Sequence, residues 1–412
     1  MTATQDPAEL PRALAEARPA LRPEVELGRA HRRGTTVVHH VKDPATGWFY
    51  RVGAREHAVL SLMDGAHTVS DISAAYAARF GRLLGPAQWQ QVFTMLGNRH
   101  LLAGATDPAA LAASRERRDA SEKAGRSLLR RRVPLVHPAP LFERVAPRLG
   151  PLFSPWTVVP GLLVALAVVV YALAGFGSLR ADIAAGPGLL VYLGPSLLVT
   201  WGLLVLHESA HGLACTRFGG TVGELGVMWR FPVLAPYCKT DDVVLMPRGR
   251  GVAVAFAGIY SNLVALAPFV LVHQLSEPGG FWRGFTAAVV LFGAVSGLVN
   301  LVPFLELDGY HMLNNALGTL DLRGESYRYW GLLLRDRSAA REYPAGDRWA
   351  YGVYGAASVL FGLGVAGTLA VVWFLTMRPW FGPLGATAVL VVEAVVLVAL
   401  ARRFARRRKV SA

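Results

Sequence analysis

Six runs of predominantly apolar residues, at 156–175, 188–213, 252–275, 284–303, 351–376 and 384–401, constrain this chain more than any other feature. Each approaches the roughly 20 residues that a helix needs to cross about 30 Å of hydrocarbon. Backbone in that medium must satisfy its own amides and carbonyls, so each run is expected to be helical. The composition agrees: the 412 residues are 53% hydrophobic and 17% charged, against about 25% charged in ordinary soluble domains. The expected fold is mainly α, a polytopic membrane protein with about six transmembrane helices.

The chain carries a net charge of +14, with arginine supplying 38 of its 42 basic residues. Nucleic-acid binding is one reading of such a charge. The placement argues otherwise, because "RSLLRRR" (126–132) and "RRFARRRK" (402–409) flank apolar runs in the positive-inside pattern. No nucleic-acid partner is expected. Loops 214–251 and 304–350 hold five and six cations, while the opposite loops carry only Arg180, Arg283 and Arg378. That bias places the N- and C-termini in the cytoplasm of a multi-pass protein of the inner (plasma) membrane. No signal peptide is read at the N-terminus. The two cysteines, Cys215 and Cys238, indicate no disulfide framework.

Ahead of the apolar runs, residues 35–106 read as a small α+β winged-helix domain. "TTVVHHV" and "WFYRV" form a hairpin around the turn "KDPATG", and "EHAVLSLM", "SDISAAYAARF" and "PAQWQQVFTML" are short helices. Thr68 and Asp71 have capping-box spacing at the start of the second helix, and Gly81 stops it. Residues 1–34 are then an N-terminal extension, 107–153 a basic connector, 154–402 the membrane domain and 403–412 a basic tail.

The second apolar run contains "LLVTWGLLVLHESAHGLACTRFGG" (197–220), with two imidazoles and a carboxylate inside it. A charge near the bilayer centre costs about 2.5–3.5 kcal/mol on insertion scales, so such groups are functional candidates. His207 and His211 share one helix face, about 6 Å apart along the axis. Two imidazoles so placed can ligate one Zn²⁺, and Glu208 beside them can act as a general base. Cys215 lies about 12 Å along the helix from His207, too far for the same ion, and reads as a packing residue. The third ligand is sought in "NLVPFLELDGYH" (300–311), where Asp308 would complete a His₂Asp set. By the charge bias, both motifs fall near the cytoplasmic face.

These two motifs, HESAH in one run and NxxPxxxLDG at the end of a later one, resemble the site-2 protease family of intramembrane zinc metalloproteases. The resemblance spans roughly 130–400. "RFGGTVGELGVMWRFPVLAPYCKTDD" and "LDGYHMLNNALGTLDLR" are similar to its bacterial peptide zinc metalloprotease branch. It implies Zn²⁺ bound by His207, His211 and Asp308, with Glu208 as catalytic base. Asn300 would hydrogen-bond substrate or oxyanion, or else make an interhelical bond. One departure is Cys238-Lys239, where that branch tends to place an acid.

"HHVKDPATGWFYRVGAREHAVLSLMDGAHTVSDISAAYAARFG" resembles PqqD-like domains, the recognition elements that bind leader peptides of ribosomally made natural products. That resemblance implies an extended peptide adding a strand to the hairpin edge. Tethered beside the zinc, such a peptide would be held at millimolar effective concentration for a short linker. The expected activity is a zinc-dependent endopeptidase that removes the leader of a modified precursor peptide, with an exporter or modification enzymes as further partners. Two alternatives are a protease of membrane-anchored regulators and a non-catalytic peptide-binding partner of an exporter. His311 reads as structural or substrate-facing, Glu393 as a helix-pairing or water-path residue, and the glycines of the fifth run as small packing positions.

Overall fold

The computed structural model describes residues 10–104, 107–124, 130–186, 189–230 and 233–410. Arg126 of the first basic cluster and the start of the N-terminal extension lie outside the described residues. The chain divides into two compact units, the first ending at Asp321 and the second starting at Leu322.

After a one-turn helix, α1 (Arg12–Ala15), the first unit opens with an antiparallel sheet in the order β1 (Glu26–Arg33), β2 (Thr36–Asp43), β3 (Trp48–Gly53). Three helices follow: α2 (Ala54–Leu60), α3 (Val69–Phe80) and α4 (Pro86–Asn98). Alternation along the strands turns Val41 and Val52 under the helices, against Val59, Leu60, Ile72, Trp89 and Leu96. The indole of Trp89, fully buried, donates to Ser73 Oγ at 2.9 Å. Thr68 and Asp71 form the capping box, and Gly81 ends α3 in the left-handed region at φ 69°. The expected hairpin thus gains a third strand. β1 comes from residues read as part of the extension, so this domain begins before residue 35.

The connector is more than a linker. It holds α5 (Pro108–Ala124), β4 (Arg130–Val136) and α6 (Ala139–Val145). β4 pairs antiparallel with β5 (Leu225–Arg230), which pairs with β6 (Val233–Cys238) in a second three-stranded sheet. This sheet sits beside the second long helix, and its β6 reaches Glu208.

The helices of the first unit are α7 (Pro155–Ala174), α8 (Phe176–Ala185), α9 (Leu189–Arg217), α10 (Arg248–Ala265), α11 (Ala267–Leu275), α12 (Phe281–Asn300) and α13 (Asp308–Leu317). α8 replaces an expected loop, with Leu179 and Ile183 buried in the common core. α12 is the central helix: 56% of its apolar window is buried, against 17% for α7. On α7 the apolar side chains instead point outward, Leu163, Leu166 and Leu173 each near 60% exposed. A lipid environment accommodates such a face, whereas water penalises it.

The second unit contains α14 (Leu322–Arg335), α15 (Arg337–Ala340) and the long α16 (Ala345–Val410). The fifth and sixth apolar runs both lie on α16, which leaves helical geometry at Gly382 (φ 68°) between Pro379 and Pro383. Counted as continuous helices, five among the described residues are long and apolar enough to cross a membrane. The packing role of the fifth-run glycines holds at Gly355, where a Cβ would strike the Trp330 ring at 2.5 Å. Nothing approaches Gly362, Gly364 or Gly367 within 4 Å. Glu393 is exposed on α16.

Candidate metal centre

α9 places His207 and His211 on one face, both buried. Their Nε2 atoms lie 3.1 Å apart. His211 Nδ1 is 2.7 Å from the Val254 carbonyl of α10. A carbonyl only accepts, so Nδ1 carries the proton and Nε2 presents its lone pair inward. Two ring nitrogens facing each other so closely need a cation or a proton between them.

Asp308 arrives from the other side. After α12 ends at Asn300 the chain turns back, and α13 starts at Asp308. Gly309 permits the turn, since a Cβ there would fall 2.3 Å from the Leu301 carbonyl oxygen. The carboxylate comes within 2.9 Å of His207 Nε2 through Oδ2 and 3.3 Å of His211 Nε2 through Oδ1. Burial alone would raise this carboxyl, but the two imidazoles bring it below the usual carboxylate range.

A tetrahedral Zn²⁺ site with bonds of about 2.0–2.1 Å has ligand–ligand edges of about 3.3 Å. The three observed separations, 2.9, 3.1 and 3.3 Å, lie at that edge or up to 0.4 Å short of it. Asp308 Oδ2 is buried and makes no hydrogen bond of good geometry. Gly258 of α10 supplies the remaining space: a Cβ there would sit 2.4 Å from His211 Nε2 and 2.7 Å from His207 Nε2. An orphaned carboxylate oxygen, paired lone pairs and a cradle that any larger residue would fill all fit a divalent metal.

Glu208 belongs to the same cluster, its ligand atom within 4.8 Å of those of His207 and His211. Its Oε2 accepts the Cys238 N–H at 2.8 Å, which turns the carboxylate toward the end of β6. The Asp308 carboxylate lies closer to both ring nitrogens, so an ion held by those three would leave Glu208 beside it. The cysteines are not competitors. Cys215 is fully buried among Phe142, Val222 and Met246. Burial, with the Glu208 charge adding, pushes the Cys238 thiol up to about 12.

A cavity of about 320 Å³ is lined by Glu208, His211, Asp308, Cys238, His311 and Asn315, and also by Arg132, Lys239 and Asp241. That volume falls in the usual range for small-ligand sites, about 300–1,000 Å³. A second cavity of about 270 Å³ shares Lys239 and Asp241 with it and extends to Lys42 and Phe49 of the N-terminal sheet. His311 lines the first cavity. Asn300 does not, its carbonyl packing against Gly309 instead; the asparagine found there is Asn315.

The sequence reading missed Gly258, Asn315 and the sheet that holds Glu208. No local pattern marks them, because each acts through a neighbour distant in the chain. No protein-family model, curated protein or solved structure matches this chain.

Proposed function

We propose that the chain is a zinc-dependent, membrane-embedded endopeptidase whose His207, His211 and Asp308 hold the metal and whose Glu208 is the catalytic base. The convergence of the two Nε2 atoms and the Asp308 carboxylate at 2.9–3.3 Å carries the reading, with a second carboxylate beside them and a cavity of about 320 Å³ in front. When bound, the ion supplies Lewis-acid activation of water and of the scissile carbonyl.

The chain's own residues do the rest. Val254 holds the His211 ring in its ligating tautomer, and Cys238 N–H aims Glu208. Glu208 takes the proton of the attacking water as oxygen adds to the carbonyl carbon. It passes that proton to the departing amine as the C–N bond breaks. The substrate class we propose is a leader-bearing precursor peptide, recruited by the N-terminal domain from the cytoplasmic side. The second cavity, lined by Phe49 and sharing Lys239 and Asp241 with the cavity at the candidate site, supports that route.

The test uses purified protein in nanodiscs, a mixture of random-sequence 14-residue peptides and mass spectrometry of the products. Wild type is expected to generate new termini, and Glu208→Gln none at matched zinc content. Equal product from the two proteins would overturn the proposal.

A further inference from the structure

The N-terminal domain touches the metal centre in a way its role as a recruiter does not require. Four of the five residues 28–32 of β1 reach two elements that build the site. Arg29 Nε donates to the Met246 carbonyl at 2.6 Å, and its NH2 donates to Asn315 Oδ1 at 3.2 Å. His31 Nε2 lies 2.7 Å from the Val244 carbonyl. Arg32 accepts from Leu320 N at 3.2 Å and donates its own N–H to Gly318 O at 2.8 Å, a parallel bridge. Gly28 lies so close that a Cβ would meet Leu245 at 2.7 Å.

The partners of these bonds matter. Met246 and Val244 lead into α10, which carries the Val254 carbonyl that orients His211 and the Gly258 cradle. Asn315 and Gly318 belong to the last turn and cap of α13, whose first residue is Asp308. β1 therefore staples α13, which carries Asp308, to the start of α10, which packs against His211. A buried ion pair holds the staple in place, Lys42 Nζ to Asp242 Oδ2 at 2.6 Å, with Thr221 N bonding the same oxygen at 2.7 Å.

We infer that the N-terminal domain is a structural part of the metal centre, with Arg29 as the positioning residue that fixes α13 and hence Asp308. This rests on the metal-site reading above. An isolated α13 has ten residues, too short to hold a fixed position on its own, and its two ends are the points that need anchoring. Gly309 seats the first end against Leu301, and β1 seats the second. A ligand must be held to about 0.5 Å for productive geometry, so loosening the far end is felt at the metal.

The experiment titrates the full-length apoprotein in nanodiscs with Co²⁺ alone, reading visible d–d absorbance. Arg29→Ala is expected to weaken Co²⁺ binding about tenfold and to lower the molar absorbance of the bound form as Asp308 leaves the tetrahedral set. Arg29→Lys restores part of the loss, and exposed Arg55→Ala stays within twofold of wild type. Arg29→Ala combined with Asn315→Ala is expected to be no weaker than Arg29→Ala alone. Unchanged affinity and spectrum in Arg29→Ala, with wild type binding Co²⁺ tightly, would overturn the positioning role and leave the metal site standing. Failure of wild type to bind Co²⁺ would overturn the metal site and this inference together.

Discussion

Gly258→Ala isolates the geometry of the candidate centre in a single methyl group. The new Cβ would lie 2.4 Å from His211 Nε2 and 2.7 Å from His207 Nε2. To reach even 3.0 Å, a separation that real Cβ atoms scarcely undercut, the His211 ring must retreat by about 0.6 Å. Metal–ligand distances tolerate about ±0.2 Å, so the ring cannot both clear the methyl and keep its bond. Changes to groups that merely orient ligands cost about 10–100-fold in metal affinity. Moving two ligands directly should cost at least about 100-fold, or about 2.8 kcal/mol. Overpacking adds about 1–3 kcal/mol of lost stability, so helicity is checked alongside binding by circular dichroism. The assay is chelator-competition titration with Zn²⁺. Gly249→Ala, in the same helix with nothing within 4 Å, is the control. A folded Gly258→Ala protein that binds Zn²⁺ as tightly as wild type would refute the argument.

Two further outcomes follow from the N-terminal domain. Lys42 and Asp242 form an ion pair with both side chains 7% exposed. Lys42→Met should destabilise the full chain by about 3–5 kcal/mol, because Asp242 stays buried without its cation. Replacing both, Lys42→Met with Asp242→Leu, should cost less than the single change; thermal unfolding in detergent checks the order. Burial lowers three histidines of this domain, His40 and His57 each to about 4 and His31 in the same direction. The folded state keeps these rings neutral, so the unfolded chain gains protons first below about 6.5. Stability should be level above that pH and fall between it and about 4. Urea midpoints that rise on acidification through this window would contradict the assignment.

The pattern of apolar runs made the helical class legible, since a membrane-length segment has almost no other way to satisfy its backbone. HESAH was legible for a related reason: imidazoles four residues apart must share a helix face, and their presence in an apolar run demands a purpose. Asp308 could be named because the Asp-Gly pair follows a run that ends at the same level. The rest depends on contacts that the sequence does not encode locally. Gly258 looks like any small residue of an apolar helix, and only its opposition to two ring nitrogens gives it meaning. Arg130–Val136 read as a basic connector because its strand partners lie about a hundred residues away. Residues 26–33 read as an extension because mixed charge hides a strand whose outer edge is covered by another part of the chain. Asn300 drew attention by resemblance, while the cavity holds Asn315.

The central claim is that two imidazoles and one carboxylate share one zinc ion, with sulfur excluded. X-ray absorption at the zinc edge on the purified protein reads that shell directly. A first shell of nitrogen and oxygen at about 2.0–2.1 Å with imidazole back-scattering, lost in Asp308→Ala and His211→Ala, is the predicted result. A sulfur contribution near 2.3 Å, or zinc retained unchanged without Asp308, would contradict it.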